Sequence, residues 1–126
     1  MTILDELYAH WNERDIDGVL SCFTDDFTLT DKAMGLTLRG AQELRQFMAA
    51  SFDSLPDVRY ELLHSFETDA GFAGQALMTG TFAKDLGGVK ATGKPFSVDY
   101  GIVGRKVDGR ISEYNDYWNV PQFLGE

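Results

Sequence analysis

Thr92-Gly93-Lys94-Pro95-Phe96-Ser97-Val98-Asp99-Tyr100, continuing through Asp108-Gly109-Arg110 to Tyr114-Asn115-Asp116-Tyr117-Trp118-Asn119, reads as a β-hairpin with a carboxylate set among aromatic side chains. Phe96, Val98, Tyr100 and Ile102 share one face of the first strand, and Asp99 falls with Ser97 and Gly101 on the opposite, exposed one. Asp108-Gly109 supplies the turn. On the second strand the same alternation places Ser112, Tyr114, Asp116 and Trp118 together. A face that holds Tyr, Asp and Trp is either an edge turned to water or the wall of a pocket with one charged group in it.

Upstream of the hairpin the period is also two. Val58, Tyr60, Leu62 and Phe66 alternate with Arg59, Glu61 and Ser65, and a further strand from about Phe72 to Phe82 runs into a Gly87-Gly88 turn. The first half of the chain is helical instead. Thr2 and Asp5 have the form of a capping box, followed by Ile3, Leu4, Leu7, Tyr8 and Trp11 at helical spacing. Asp15 can cap a short second helix carrying Ile16, Val19, Leu20 and Phe23 on one side and ending at Thr24-Asp25-Asp26. Phe27 to Asp31 alternates as a strand, which puts Asp31 on the apolar face of Phe27 and Leu29. Gly40 to Phe52 is a third helix with Leu44, Phe47 and Met48 as its stripe, and Pro56 marks its exit. Helices first and an antiparallel meander afterwards make an α+β domain in which a cone-shaped, curved, mostly antiparallel sheet packs against three N-terminal helices.

The 126 residues suffice for one domain with a real core and are too few for two. Residues 1–126 are therefore read as a single domain. A formal net charge of −9 repels phosphate backbones, so no nucleic-acid partner is expected. Cys22 stands alone and has no partner for an intramolecular disulfide. Neither a signal peptide nor a stretch of membrane-spanning length is visible, so the expected location is the cytoplasm, with no membrane partner.

Gly88-Val89-Lys90-Ala91-Thr92-Gly93-Lys94 follows much of the phosphate-loop pattern. Pro95 stands where a Ser or Thr would hold magnesium, and the chain continues as a strand, so a glycine-rich hairpin turn fits better. His10, His64 and Cys22 show no ligand spacing, which disfavours a metal site. His64 shares the register of Val58, Tyr60, Leu62 and Phe66 and is an alternative candidate for a pocket base. Asp31 and Asp116 are the best pair of carboxylates: two in one apolar cavity can be set apart as acid and base.

The chain resembles the nuclear transport factor two-like superfamily, which includes SnoaL-like polyketide cyclases, ketosteroid isomerases and limonene epoxide hydrolases. Two blocks carry the resemblance: Asn12-Glu13-Arg14-Asp15-Ile16-Asp17-Gly18 through Phe23-Thr24-Asp25-Asp26, and Thr92-Gly93-Lys94 through Asp108-Gly109-Arg110-Ile111 to Asp116-Tyr117-Trp118. It implies a cone-shaped α+β barrel enclosing a mostly apolar pocket. Asp31 would sit where the isomerases place their general base, and Asp116 where the epoxide hydrolases keep their acid. The match is partial. The Arg-x-Asp pair of those hydrolases would fall near Leu77 and Thr79, the isomerase tyrosine at Leu7 beside Tyr8, and the histidine that in the cyclases follows Gly-Thr is replaced after Gly80-Thr81 by Phe82.

These readings lead to a small, cofactor-free acid–base enzyme of the isomerase, cyclase or dehydratase type acting on an apolar cyclic small molecule. Asp31 is the expected base and Asp116 the expected acid or hydrogen-bond donor. Tyr8, Trp11, Tyr114 and Trp118 are expected to give the pocket its shape. Leu29, Val98 and Tyr100 are expected beside them. Two alternatives remain at this point: a non-enzymatic binding or dimerisation module of the same fold, and an epoxide hydrolase with a degenerate site. A homodimer through the sheet face carrying Ser97, Asp99 and Val103 is the expected assembly.

Overall fold

The computed structural model describes Met1–Gly125. Ten elements follow in chain order: α1 (Ile3–Asn12), α2 (Ile16–Ser21), β1 (Phe23–Asp31), β2 (Leu36–Arg39), α3 (Gly40–Ser54), β3 (Arg59–Glu67), β4 (Gly71–Thr81), β5 (Pro95–Val107), β6 (Arg110–Trp118) and α4 (Val120–Leu124). The six strands form one sheet in the order β2-β1-β6-β5-β4-β3. Only the β1–β6 pair is parallel. The sheet is open, with β2 and β3 as its edges, so the architecture is α+β with a mixed sheet rather than a closed barrel.

α1 starts on a complete capping box between Thr2 and Asp5 and buries Ile3, Leu4, Leu7, Tyr8 and Trp11. Asp15 caps α2 by accepting from the Gly18 amide at 3.0 Å. The chain leaves the helical region earlier than its apolar pattern suggests. Phe23 is the first residue of β1 rather than the last apolar contact of α2, and an irregularity in the β1–β6 register between Phe23 and Thr28 accommodates the exposed Asp25 and Asp26. β2 had no counterpart in the sequence reading. It forms because a turn through Gly35, at φ +67°, lets Leu36–Arg39 fold back on β1.

The β5–β6 hairpin turns at Asp108 (φ 52°) and Gly109 (φ 80°), both left-handed as a two-residue hairpin requires. Phe96, Val98, Tyr100 and Ile102 are buried, while Ser97, Asp99 and Val103 face outward. A register shift opposite Arg105 and Lys106 turns Ile111 inward and leaves Ser112 half-exposed, its hydroxyl donating to the Arg105 carbonyl. Ser112 therefore does not share the buried face of Tyr114 and Asp116. The Gly88–Lys94 segment is an irregular connection between β4 and β5 with left-handed Gly88 and Gly93. Among the described residues no helix is long and apolar enough to cross a membrane.

Candidate functional site

Parallel pairing of β1 with β6 sets Asp31 directly beside Asp116. Both side chains point to the inner face and both residues are buried, 7% and 3% exposed. Their surroundings differ. β1 ends at Asp31, and the tight turn that follows brings the Met34 amide to Asp31 Oδ1 at 3.0 Å, while the Trp118 indole N–H donates to the same oxygen at 3.0 Å. Asp116 lies mid-strand, with its backbone carbonyl accepting from the Lys32 amide, and its Oδ1 has no hydrogen-bond partner among the described residues.

The asymmetry separates the two acids. Burial pushes the Asp31 carboxyl above its ordinary value, opposed by the Met34 and Trp118 donors. Burial, followed by the neighbouring charge of Asp31, pushes Asp116 up to about 8. Asp31, with its N–H donors, is therefore the more acidic of the pair, and Asp116 is the one that holds its proton to higher pH.

Asp31 is part of the wall of a cavity of about 370 Å³. α3 supplies Phe47, Ala50 and Ser51 on one side, and the sheet supplies Tyr60, Met78, Tyr100 and Trp118 on the other. The β4–β5 connection closes one part of it with Leu86 and Val89, and α4 another with Val120 and Phe123. Asp31 is the only charged side chain in the wall among the described residues. That volume lies at the low end of the range for small-molecule sites, about 300–1,000 Å³.

The sequence candidates divide into three groups. Asp31, Trp11, Tyr100 and Trp118 line the cavity. Asp116 lies one strand in from Asp31 and outside the lining. Tyr8, Leu29, Val98 and Tyr114 do not line it either: they share the inner face but are spent on packing α1 and the strands together. The Tyr8 and Tyr114 hydroxyls hydrogen-bond to one another, and Tyr8 stacks on Tyr60 with centroids 5.1 Å apart. Burial raises the phenols of Tyr8, Tyr60, Tyr100 and Tyr114, so all four stay protonated around Asp116.

His64 does not reach the cavity. β3 carries a bulge between Leu62 and His64 that shifts the alternation by one, leaving His64 exposed and turning Ser65 toward α1, where it accepts from the Thr2 hydroxyl at 2.8 Å. Leu77 and Thr79 line a second pocket with Arg59, Tyr60 and Glu61 and do not line the apolar cavity, although Tyr60 belongs to both walls. Leu7 is fully buried, and Phe82 lines the cavity.

Sequence reasoning missed Phe47, Ser51, Met78 and Phe123 as wall residues. Phe123 carried a usable signal, because Asn119 caps α4 by accepting from the Gln122 amide at 3.2 Å. Tyr60 was visible in the strand alternation, and Asn12 fixes it by bonding to both its N–H and its carbonyl at 2.9 and 2.8 Å. Among the described residues no group of three or more His, Cys, Asp or Glu side chains is placed to hold a metal ion.

The fold has many solved counterparts. A candidate polyketide cyclase from Pseudomonas putida is 20% identical with a TM-score of 0.84, covering 99% of this chain and 97% of that one. IdmH, a candidate polyketide cyclase from Streptomyces antibioticus, is 20% identical with a TM-score of 0.81, covering 98% and 94%. A hypothetical protein of ketosteroid isomerase-like fold from Catenulispora acidiphila, solved in complex with trimethylamine, is 20% identical with a TM-score of 0.84, covering 99% and 92%. At such identities the likeness establishes the fold alone. No curated protein matches the chain. The sequence profile of the SnoaL-like domain matches residues 4–114, so the chain belongs to the SnoaL-like domain family.

Proposed function

We propose that the protein is an acid–base enzyme of the isomerase, cyclase or dehydratase type that needs no cofactor and acts on an apolar cyclic ketone held in the cavity. The observation that carries this reading is the unequal carboxyl pair, with Asp31 in an apolar wall accepting from two N–H donors and Asp116, the weaker acid, buried beside it. Asp31 takes the proton from carbon next to the substrate carbonyl. The electrons of that C–H bond become the enol double bond, and the carbonyl oxygen receives a proton in exchange. Asp116 supplies that proton. Tyr100, which lines the cavity and whose hydroxyl acts on Asp116, passes it on by giving its own proton to the substrate and taking the one from Asp116. The net charge of the site is unchanged throughout, which favours the step in a low-dielectric cavity.

The position of Asp116 behind the wall favours a second reading, a binding module in which the acid pair is structural. Product formation from a panel of cyclic enones, epoxides and polyketide-like ketones decides between them. The acid–base reading expects Asp31→Asn and Asp116→Asn each to lose roughly a hundred- to ten-thousand-fold in turnover with the fold retained. Equal rates in all three proteins would end it, and ligand binding without any turnover would establish the second reading.

A further inference from the structure

We propose that the cavity is also a binding site for a protonated amine carried on a cyclic apolar body, with Asp31 as the counter-ion and the aromatic wall as its surround. Among the described residues, ion pairs join Arg45 to Asp17, Lys84 to Asp53 and Lys106 to Glu67, His10 meets Asp15, and none of these involves Asp31 or Asp116. No Lys, Arg or His lies in the cavity wall among the described residues. A buried carboxylate without a cation is costly, and hydrogen bonds from neutral N–H groups offset only part of that cost. The Met34 and Trp118 bonds both fall on Oδ1, and the Ala33 amide and the Asp116 carboxyl also bear on the group, so a ligand N⁺–H would take its place on the remaining oxygen in competition with Asp116.

The rest of the wall favours the same charge. Trp11, Tyr60, Tyr100, Trp118 and Phe123 form a continuous aromatic row, with successive ring centroids 5.8, 5.7, 6.5 and 5.5 Å apart. The negative faces of such rings attract a cation and repel an anion. The groups that bear on the pair are Tyr8 from α1, Tyr60 from β3, Tyr100 from β5 and Tyr114 from β6, all neutral phenols near pH 7. An ammonium beside Asp31 would offset the charge that helps keep the proton on Asp116, so binding near pH 8 releases a proton.

The proposal concerns the cavity of the acid–base reading but does not depend on turnover, so either can fail alone. Calorimetry with 2-aminotetralin, 2-tetralol and tetralin-2-carboxylate tests it, since the three share one two-ring body and differ in charge. Work at 0.5 M salt screens the attraction of a cation to the chain's overall negative charge. The amine should bind about tenfold or more tighter than the alcohol, and the carboxylate at least about tenfold more weakly than the alcohol. Asp31→Asn should bring amine and alcohol to within about threefold of one another. In wild type at pH 8, titrations in buffers of different ionisation enthalpy should report proton release with the amine and none with the alcohol. An alcohol that binds as tightly as the amine, an amine that does not bind, or a preference that survives Asp31→Asn would overturn the proposal. If Asp31→Asn does not fold, the wild-type series and its proton count decide.

Discussion

Replacing Asp116 by Asn should change the pH dependence of stability more than any other substitution in the molecule. Asp116 is 3% exposed and keeps its proton to about pH 8, against an ordinary value of 3.8. Between those limits the folded chain holds a proton that the unfolded chain has released. The contribution of this group to stability is therefore full below about pH 4 and is lost as pH rises through about 8. Each unit of difference corresponds to about 1.4 kcal/mol. From pH 5 to pH 8 wild type should consequently lose about 3–4 kcal/mol relative to Asp116→Asn, which keeps the shape and cannot ionise. Urea unfolding at pH 5, 6, 7 and 8 measures the difference, with Asp31 the neighbour whose own titration the substitution also changes, because it loses the Asp116 hydrogen bond that lowers it. The stability of wild type relative to the variant should fall steadily from pH 5 to pH 8. Parallel profiles would refute the reasoning, since they would mean that Asp116 titrates alike in the folded and unfolded states.

Two further outcomes follow from the same region. Trp118→Phe removes an N–H donor to Asp31 and should raise that carboxyl's titration, read by carboxyl carbon NMR; an unchanged midpoint would show that the indole N–H does not favour the ionised form. Gly104→Ala places a Cβ against the Glu113 carbonyl and the Phe72 ring, where backbone cannot yield, and should cost about 1–3 kcal/mol in a chemical melt, whereas a neutral result would mean that the β5–β6 pair moves apart freely at this position.

Much of the fold was legible because its signals are local. The Thr2–Asp5 capping box, the Asp108-Gly109 turn and the alternation of Phe96, Val98, Tyr100 and Ile102 are each decided within a few residues. What misled the reading was parity. A strand face can be followed by counting in twos only until a bulge intervenes, and a bulge leaves no fixed mark in composition. One bulge exposed His64, which simple alternation places inside, and another replaced Ser112 by Ile111 on the buried face. β2 is four residues long and pairs only through a turn at Gly35, too short a segment to show a period of its own.

For the site, residue types were visible and their division of labour was not. Asp31 and Asp116 stand 85 positions apart in the chain, and nothing local to either announces a parallel pairing that makes them neighbours. Nor does either sequence neighbourhood announce which of the two is the stronger acid. That is settled by where N–H groups happen to converge: the chain turns back immediately after Asp31 and delivers the Met34 amide, while Trp118, two residues beyond Asp116, turns its indole N–H to Asp31. Asp116 is left mid-strand with one oxygen unpartnered and four buried phenols around it, an environment that penalises ionisation. Exchanging the two residues would change nothing, since both are already Asp; moving the turn would. The difference in acidity between the two carboxyls is therefore a property of the β1–β2 turn and of the Trp118 ring, and these, rather than the carboxylates themselves, are the elements to alter if that difference is to be re-tuned.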